Sequence, residues 1–196
     1  DDLAYRRAGA AVARCVGRPV EKLVYVMNSE IYITPATEAD IPLLRDMARA
    51  TFYPTYRTIL SPEQLDYMYD WMYSETSLQN QMREGHRFFI ARDRATESPL
   101  GYVSIEPQGE RLVHLQKIYV CPEQQGRHVG RALIERAFEE ARGLFPDRHG
   151  RVELNVNRQN PALAFYQHMG MHIASSGDFD IGNGYFMNDY IMAIDF

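Results

Sequence analysis

The segment "EIYITPA" alternates apolar and polar side chains over a β-branched stretch, which predicts a strand at about residues 30–34. Thr37 then precedes "EADIPLLRDMARATF", an N-cap and acidic first turn ahead of apolar positions 41, 44, 47 and 48 at helical spacing. A second helical stretch opens with Ser61 as cap and Pro62 at its first position, ends at Gly85, and reads as one helix or two short ones. "HRFFIARD", "LGYVSIEPQ" and "LVHLQKIYV" predict three strands, and their short polar links predict an antiparallel meander. Residues 129–142 set Val129, Leu133, Ile134, Ala137, Phe138 and Ala141 on one helical face. "GRVELNVN" predicts a strand, and Asn160-Pro161 starts a short helix that stops at Gly170. Two closing strands flank "GNG", a strong hairpin signal.

A helix between the fourth strand and "GRVELNVN" implies a parallel crossover, so the fourth and fifth strands can splay where they diverge. At 196 residues the chain suits one sizeable core rather than two full domains. A net charge of −5 argues against a nucleic-acid footprint, which needs a basic face, and suits a cationic small molecule or peptide. Residues 1–26 carry Arg6, Arg7, Arg14, Arg18 and Lys22 against Asp1, Asp2 and Glu21. That basic stretch is expected to be an N-terminal extension, with the domain proper spanning 27–196. Cys15 and Cys121 offer no disulfide framework and fit reduced thiols in a cytoplasmic protein. No apolar run approaches the ~18 residues of a membrane span, and no signal-peptide pattern opens the chain.

"QQGRHVGRA" carries Gly126 and Gly130 where a helix must start. A helix N-terminus presents free N–H groups and partial positive charge, so small residues there let a pyrophosphate reach the backbone. The loop is neither a P-loop, lacking the lysine and hydroxyl pair, nor a GxGxxG turn. On spacing alone, a plain helix start with incidental glycines fits as well.

The wider pattern resembles the GCN5-related N-acetyltransferase (GNAT) superfamily. There a strand ending in a hydrophobic-tyrosine-valine run leads through a Q/R-x-x-G-x-G/A loop into a helix; here these are "LQKIYVCPE" and Gln125 to Gly130. His128 stands at the first glycine of that pattern, a departure that puts a side chain near the loop. "LNVNRQNPALAFYQHMGM" resembles the family's later strand, Asn-rich turn and A-x-x-F-Y helix. The resemblance covers about residues 31–194. It implies a single-domain α/β fold with a mixed, mostly antiparallel sheet splayed between the fourth and fifth strands and helices on both faces.

The same resemblance implies acetyl-CoA as donor. Gln125, Gly126, Arg127, His128, Val129, Gly130 and Arg131 would grip its pyrophosphate, and Asn157 and Asn160 its pantetheine or phosphate region. Ile118, Tyr119 and Val120 would lie beside the thioester, where a backbone N–H can stabilise an oxyanion. Tyr166 would protonate the leaving thiolate, as a phenol of pKa ~10 can. Family members often place a carboxylate base where this chain has His114, and histidine can do that work near pH 7; Glu106 and Glu153 are alternatives.

Acceptor recognition is expected from the segment after the first strand. Its Tyr53, Tyr56, Tyr69 and Tyr73, with Asp66, Asp70 and Glu75 between or beside them, could hold a cation. An aromatic stripe on a helix can equally be core. The expected function is direct acetyl transfer to a primary amine, in a small cationic metabolite such as a polyamine. A peptide or protein acceptor, a non-catalytic coenzyme A-binding module and Cys121 as a covalent nucleophile are the alternatives. No metal, nucleic acid or membrane partner is expected, and a homodimer is compatible.

Overall fold

The computed structural model describes residues 30–196, so the expectations for residues 1–26 and for a domain start at Met27 lie outside the described residues. β1 (Ile31–Pro35) is followed by α1 (Ile41–Tyr56), α2 (Pro62–Tyr73) and α3 (Glu75–Arg83). Then come β2 (Arg87–Asp93), β3 (Pro99–Gln108), β4 (Leu112–Val120), α4 (Val129–Gly143), β5 (Arg151–Asn157), α5 (Leu163–His168), β6 (His172–Gly182) and β7 (Tyr185–Asp195).

Local chemistry explains the boundaries. The Thr37 N–H donates to Asp40 Oδ2 at 2.9 Å, which holds a 3₁₀ turn over Glu38–Asp40 and delays α1 to Ile41. The long helical stretch is two helices, because Ser74 is extended (ψ 151°) and its Oγ accepts the Ser77 N–H at 3.3 Å to cap α3. Asn183 and Gly184, with φ of 54° and 78°, form the two-residue turn between β6 and β7. Positive φ at both central positions is what the strand twist demands.

The seven strands run in the order β1-β2-β3-β4-β5-β7-β6. Every neighbouring pair is antiparallel except β4 and β5, which α4 connects in parallel. One face packs Val103, Ile105 and Val152 against Leu133, Ile134 and Phe138 of α4 and Tyr166 of α5. The other packs Phe88, Ile90 and Tyr102 against Phe52 of α1, Tyr69 and Tyr73 of α2 and Leu78 of α3. No helix among the described residues is long and apolar enough to cross a membrane.

Candidate active site

β4 and β5 are paired at only three rungs, Leu112–Arg151, Val113–Val152 and His114–Glu153. Just beyond, the β3–β4 register slips: Ile105 faces Leu115 while Ser104 faces Lys117, so Gln116 is an extra residue. Such a bulge bends its strand, here at the point where β4 leaves β5. A cleft of about 980 Å³ opens in the fork, lined by Leu115 to Val120 of β4, Leu154 to Val156 of β5, and parts of α1, α4 and α5. The Cys121 N–H donates to Leu100 O at 2.9 Å, toward β3. Backbone groups alternate sides along a strand, so the Val120 and Ile118 amides face the fork.

One wall of the cleft is the start of α4. Ala132 is the first residue whose N–H reaches back, to His128 O at 3.1 Å, so the Val129, Gly130 and Arg131 amides stay open, as in any helix first turn. Gly126 has φ +82° and nothing within 4 Å of an added Cβ, so backbone conformation rather than crowding calls for glycine there. His128 is left-handed as well (φ 62°), which explains why a glycine would suit its position. A Cβ on Gly130 would sit 3.5 Å from Val120 Cγ2 and 3.6 Å from Phe165 Cζ, inside the wedge between β4 and α5.

Gln125, Gly126, His128, Val129, Gly130 and Arg131 all line the cleft, as do Ile118, Tyr119, Val120, Asn160 and Tyr166. Two expected donor residues do not. Arg127 turns away to Asp93 (2.9 Å) and Gln124 (2.6 Å), tying the loop to the end of β2. Asn157 is buried outside the lining, its Oδ1 accepting the Gln159 N–H at 3.0 Å. Asn160 serves twice, lining the cleft while its Oδ1 accepts the Ala162 N–H at 2.9 Å.

Three phenols meet at the fork: Tyr56 from α1, Tyr119 from β4 and Tyr166 from α5. Burial pushes all three above the ordinary phenol range, Tyr166 well above it. They therefore stay protonated at neutral pH.

The aromatic segment needs correction. Of Tyr53, Tyr56, Tyr69, Tyr73 and Asp70, only Tyr56 lines the cleft. Tyr73 is 1% exposed and its hydroxyl meets that of Tyr102 at 3.0 Å, while the Tyr69 hydroxyl donates to Arg45 O at 2.9 Å. Tyr53 donates to Asp66 at 2.8 Å and Asp70 lies exposed on α2. The α2 face that carries Tyr69 and Tyr73 is needed to cover the sheet, and their hydroxyls find partners inside. His114 also misses the lining: it stands at the last β4–β5 rung between Glu106 and Glu153, and burial keeps its imidazole neutral. Cys121 packs against the α1–α3 core, with burial raising its thiol pKa, so it offers no nucleophile to the cleft.

Three residues went unread. Lys117 lines the cleft and is 6% exposed. Asn155, exposed in the open fork, donates through Nδ2 to Asp189 Oδ2 at 3.3 Å. Asp189, behind Asn155 and outside the lining, is 5% exposed and faces Tyr56, and its Oδ1 has no partner among the described residues. Burial raises its pKa. The available signal was a mid-strand carboxylate two residues from Met187, on the inward parity of the closing strand.

A model of the acetyltransferase (GNAT) family matches residues 43–171. Over 99 residues the chain is 30% identical to the peptidyl-lysine N-acetyltransferase YjaB of Salmonella typhimurium, spanning 46% of this chain and 62% of that protein, under two thirds of its length. Its fold is similar to that of the PaiA N-acetyltransferase of Thermoplasma acidophilum in complex with coenzyme A, with TM-score 0.70 and 23% identity over 85% of this chain and 99% of that one. It is also similar to mutant forms of the spermidine/spermine N-acetyltransferase SpeG of Vibrio cholerae, with TM-score 0.61 and 20% identity over 86% and 95% of the two chains. The forked sheet, the open first turn of α4 and the family match agree: the chain belongs to the acetyltransferase (GNAT) family, N-acetyltransferases whose donor is acetyl-CoA.

Proposed function

We propose that this protein moves acetyl directly from acetyl-CoA to a primary amine of a small cationic metabolite, a polyamine or diamine, in the cytoplasm. The observation that supports it most is the fork: an open helix start on one wall, outward β4 amides at its centre and, behind the lining residue Asn155, the buried carboxylate of Asp189, whose Oδ1 has no partner among the described residues. Acetyl-CoA supplies an activated acetyl thioester. The α4 amides and Arg131 would hold its pyrophosphate, and the Ile118 or Val120 amide would take the developing oxyanion.

On the side of the sheet that α1 covers, Asp189 and the free carbonyl oxygen of Asn155 would receive the acceptor's ammonium. A buried carboxylate with one oxygen unpartnered is costly, and a cationic ligand offsets that cost. Asp189 would then accept a proton so that the neutral amine can attack, and its raised pKa makes it a better base. His114 is the second candidate base. Tyr166 would hand its proton to the departing thiolate. Burial raises the phenol, and it raises a thiolate in the same place too, so the two remain matched.

A peptide lysine acceptor is the second reading, favoured by the peptidyl-lysine relative. Purified protein, acetyl-CoA and a panel of spermidine, diamines, monoamines, amino acids and lysine peptides would be assayed by thiol release. Polyamines should show the highest kcat/KM. Faster turnover of lysine peptides selects the second reading, and donor binding with no thiol release for any amine leaves a coenzyme A-binding module.

A further inference from the structure

Of the 21 Lys and Arg side chains in the full sequence, only Lys22 and Lys117 are lysines. Lys117 stands on β4 directly after the bulge, beside Ile118, and it lines the transfer cleft. Its Nζ donates to Gln81 Oε1 at 2.7 Å and lies 5.8 Å and 5.6 Å from the ring centroids of Tyr73 and Phe88. An ammonium has three protons to place, and one amide oxygen and two ring faces serve here. Among the described residues no carboxylate forms an ion pair with it. With Tyr73, the titratable groups around it are Glu106, His86 and His114, and the His86 Nδ1 is itself buried without a partner among the described residues.

We propose that Lys117 is a self-acetylation site, modified by the protein's own transfer machinery when acetyl-CoA is bound and no acceptor is present. The inference rests on the donor site proposed above. Neutral Nζ attacks the thioester carbonyl carbon and an N–C bond forms. The C–S bond breaks with its electron pair on sulfur, and one Nζ proton ends on the coenzyme A thiol. No other reactant is needed.

Position and protonation both favour this step. Lys117 is next in sequence to a backbone amide that faces the fork, and its four-carbon stem can swing Nζ from Gln81 toward it. Burial lowers its pKa to about 8. At pH 7.5 about a quarter of the side chain is then uncharged, against about one part in a thousand for an ordinary lysine of pKa ~10.4. Acetylation would also remove a cation from the half of the cleft that receives a cationic acceptor. The modified protein should bind such amines with a lower KM.

The test incubates the full chain with acetyl-CoA and no amine, then maps acetyl groups by peptide mass spectrometry. Lys117 should label at least tenfold faster than Lys22, and Tyr166→Phe should slow Lys117 labelling at least tenfold while leaving Lys22 unchanged. Equal labelling of both lysines, or an unchanged rate in Tyr166→Phe, would mean simple chemical acylation and overturn the proposal. An unmodified Lys117 in protein that binds acetyl-CoA by calorimetry and turns over an amine sinks self-acetylation alone. Failure to bind acetyl-CoA at all sinks the proposed function and this inference with it.

Discussion

His114 and Glu153 form the last rung at which β4 and β5 are paired, and the bulge residue Gln116 follows two positions later. Cleft begins directly beyond that rung, so a few backbone hydrogen bonds decide where a continuous sheet becomes a binding site. A polar cluster around Glu106 lies against the same rung, and its member Gln116 also lines the fork. His86 Nε2 lies 3.5 Å from Glu106, which also accepts from Gln108 and Gln116 at 2.8 Å and 2.6 Å.

Gly130 should tolerate a methyl and reject a carboxylate. An added Cβ makes ordinary contacts with Val120 and Phe165, so Gly130→Ala should fold and bind acetyl-CoA within about threefold. Gly130→Asp places negative charge beside the open amides, and calorimetry should show affinity at least tenfold weaker. Unchanged affinity in the folded Asp variant would remove the α4 start as the pyrophosphate site.

Tyr166→Phe should lower kcat by ~10²-fold, the low end of general-acid effects, with acetyl-CoA binding unchanged. Steady-state kinetics with the best amine of the panel checks this. A kcat within twofold of the parent would assign thiolate protonation elsewhere.

Asp189→Asn should raise the acceptor KM at least tenfold and leave acetyl-CoA affinity alone. Because the carboxylate is the active form and burial raises its pKa, kcat/KM should climb with pH through that raised value and then level. Asp189→Asn should abolish the climb and His114→Gln should preserve it. The reverse pattern would return the base to His114.

His128 occupies a left-handed conformation that costs a side chain roughly 1–2 kcal/mol, offset partly by the unfolded-state entropy that glycine adds. Urea denaturation should rank stability as His128→Gly at or above the parent by up to ~1 kcal/mol. His128→Val should fall below it, since a β-branched residue suits that region least. A Val variant as stable as the parent would show that the turn relaxes freely.

Lys117 imposes a pH signature on stability. Its folded pKa of about 8 lies below the unfolded value of ~10.4, so between these the unfolded chain binds more protons and stability rises with pH. The penalty is full below about pH 8. Lys117→Met should therefore gain stability at pH 7 and lose that gain toward pH 10. Above pH 10 the buried tyrosines act oppositely: Tyr73, Tyr102 and Tyr119, with raised folded pKa values, stabilise below their unfolded pKa and lose that contribution as pH climbs. Comparing parent and variant at each pH isolates the lysine, and a pH-independent difference would contradict its lowered pKa.

Element order was legible along the chain because periodicity, caps and turn residues act over a few positions. Ser61 caps α2, the Asn183-Gly184 turn closes the last hairpin, and the glycine loop opens α4, each where local chemistry predicts. The donor wall was legible for the same reason, since a strand, a loop and a helix start are contiguous in sequence. The acceptor half was not, because contacts between distant residues build it. Arg127 and Asp93 are 34 positions apart, as are Asn155 and Asp189, and no local pattern says that the first pair leaves the cleft while Asn155 of the second lines it. Tyr69 and Tyr73 read equally as pocket or core until α2 docks on the sheet and buries that face. Lys117 is one of three polar residues of β4, with His114 and Gln116, and only packing against Tyr73, Phe88 and Gln81 strips its water and lowers its pKa. Burial and pairing of charges are properties of the assembled layers, so tertiary structure alone decided them.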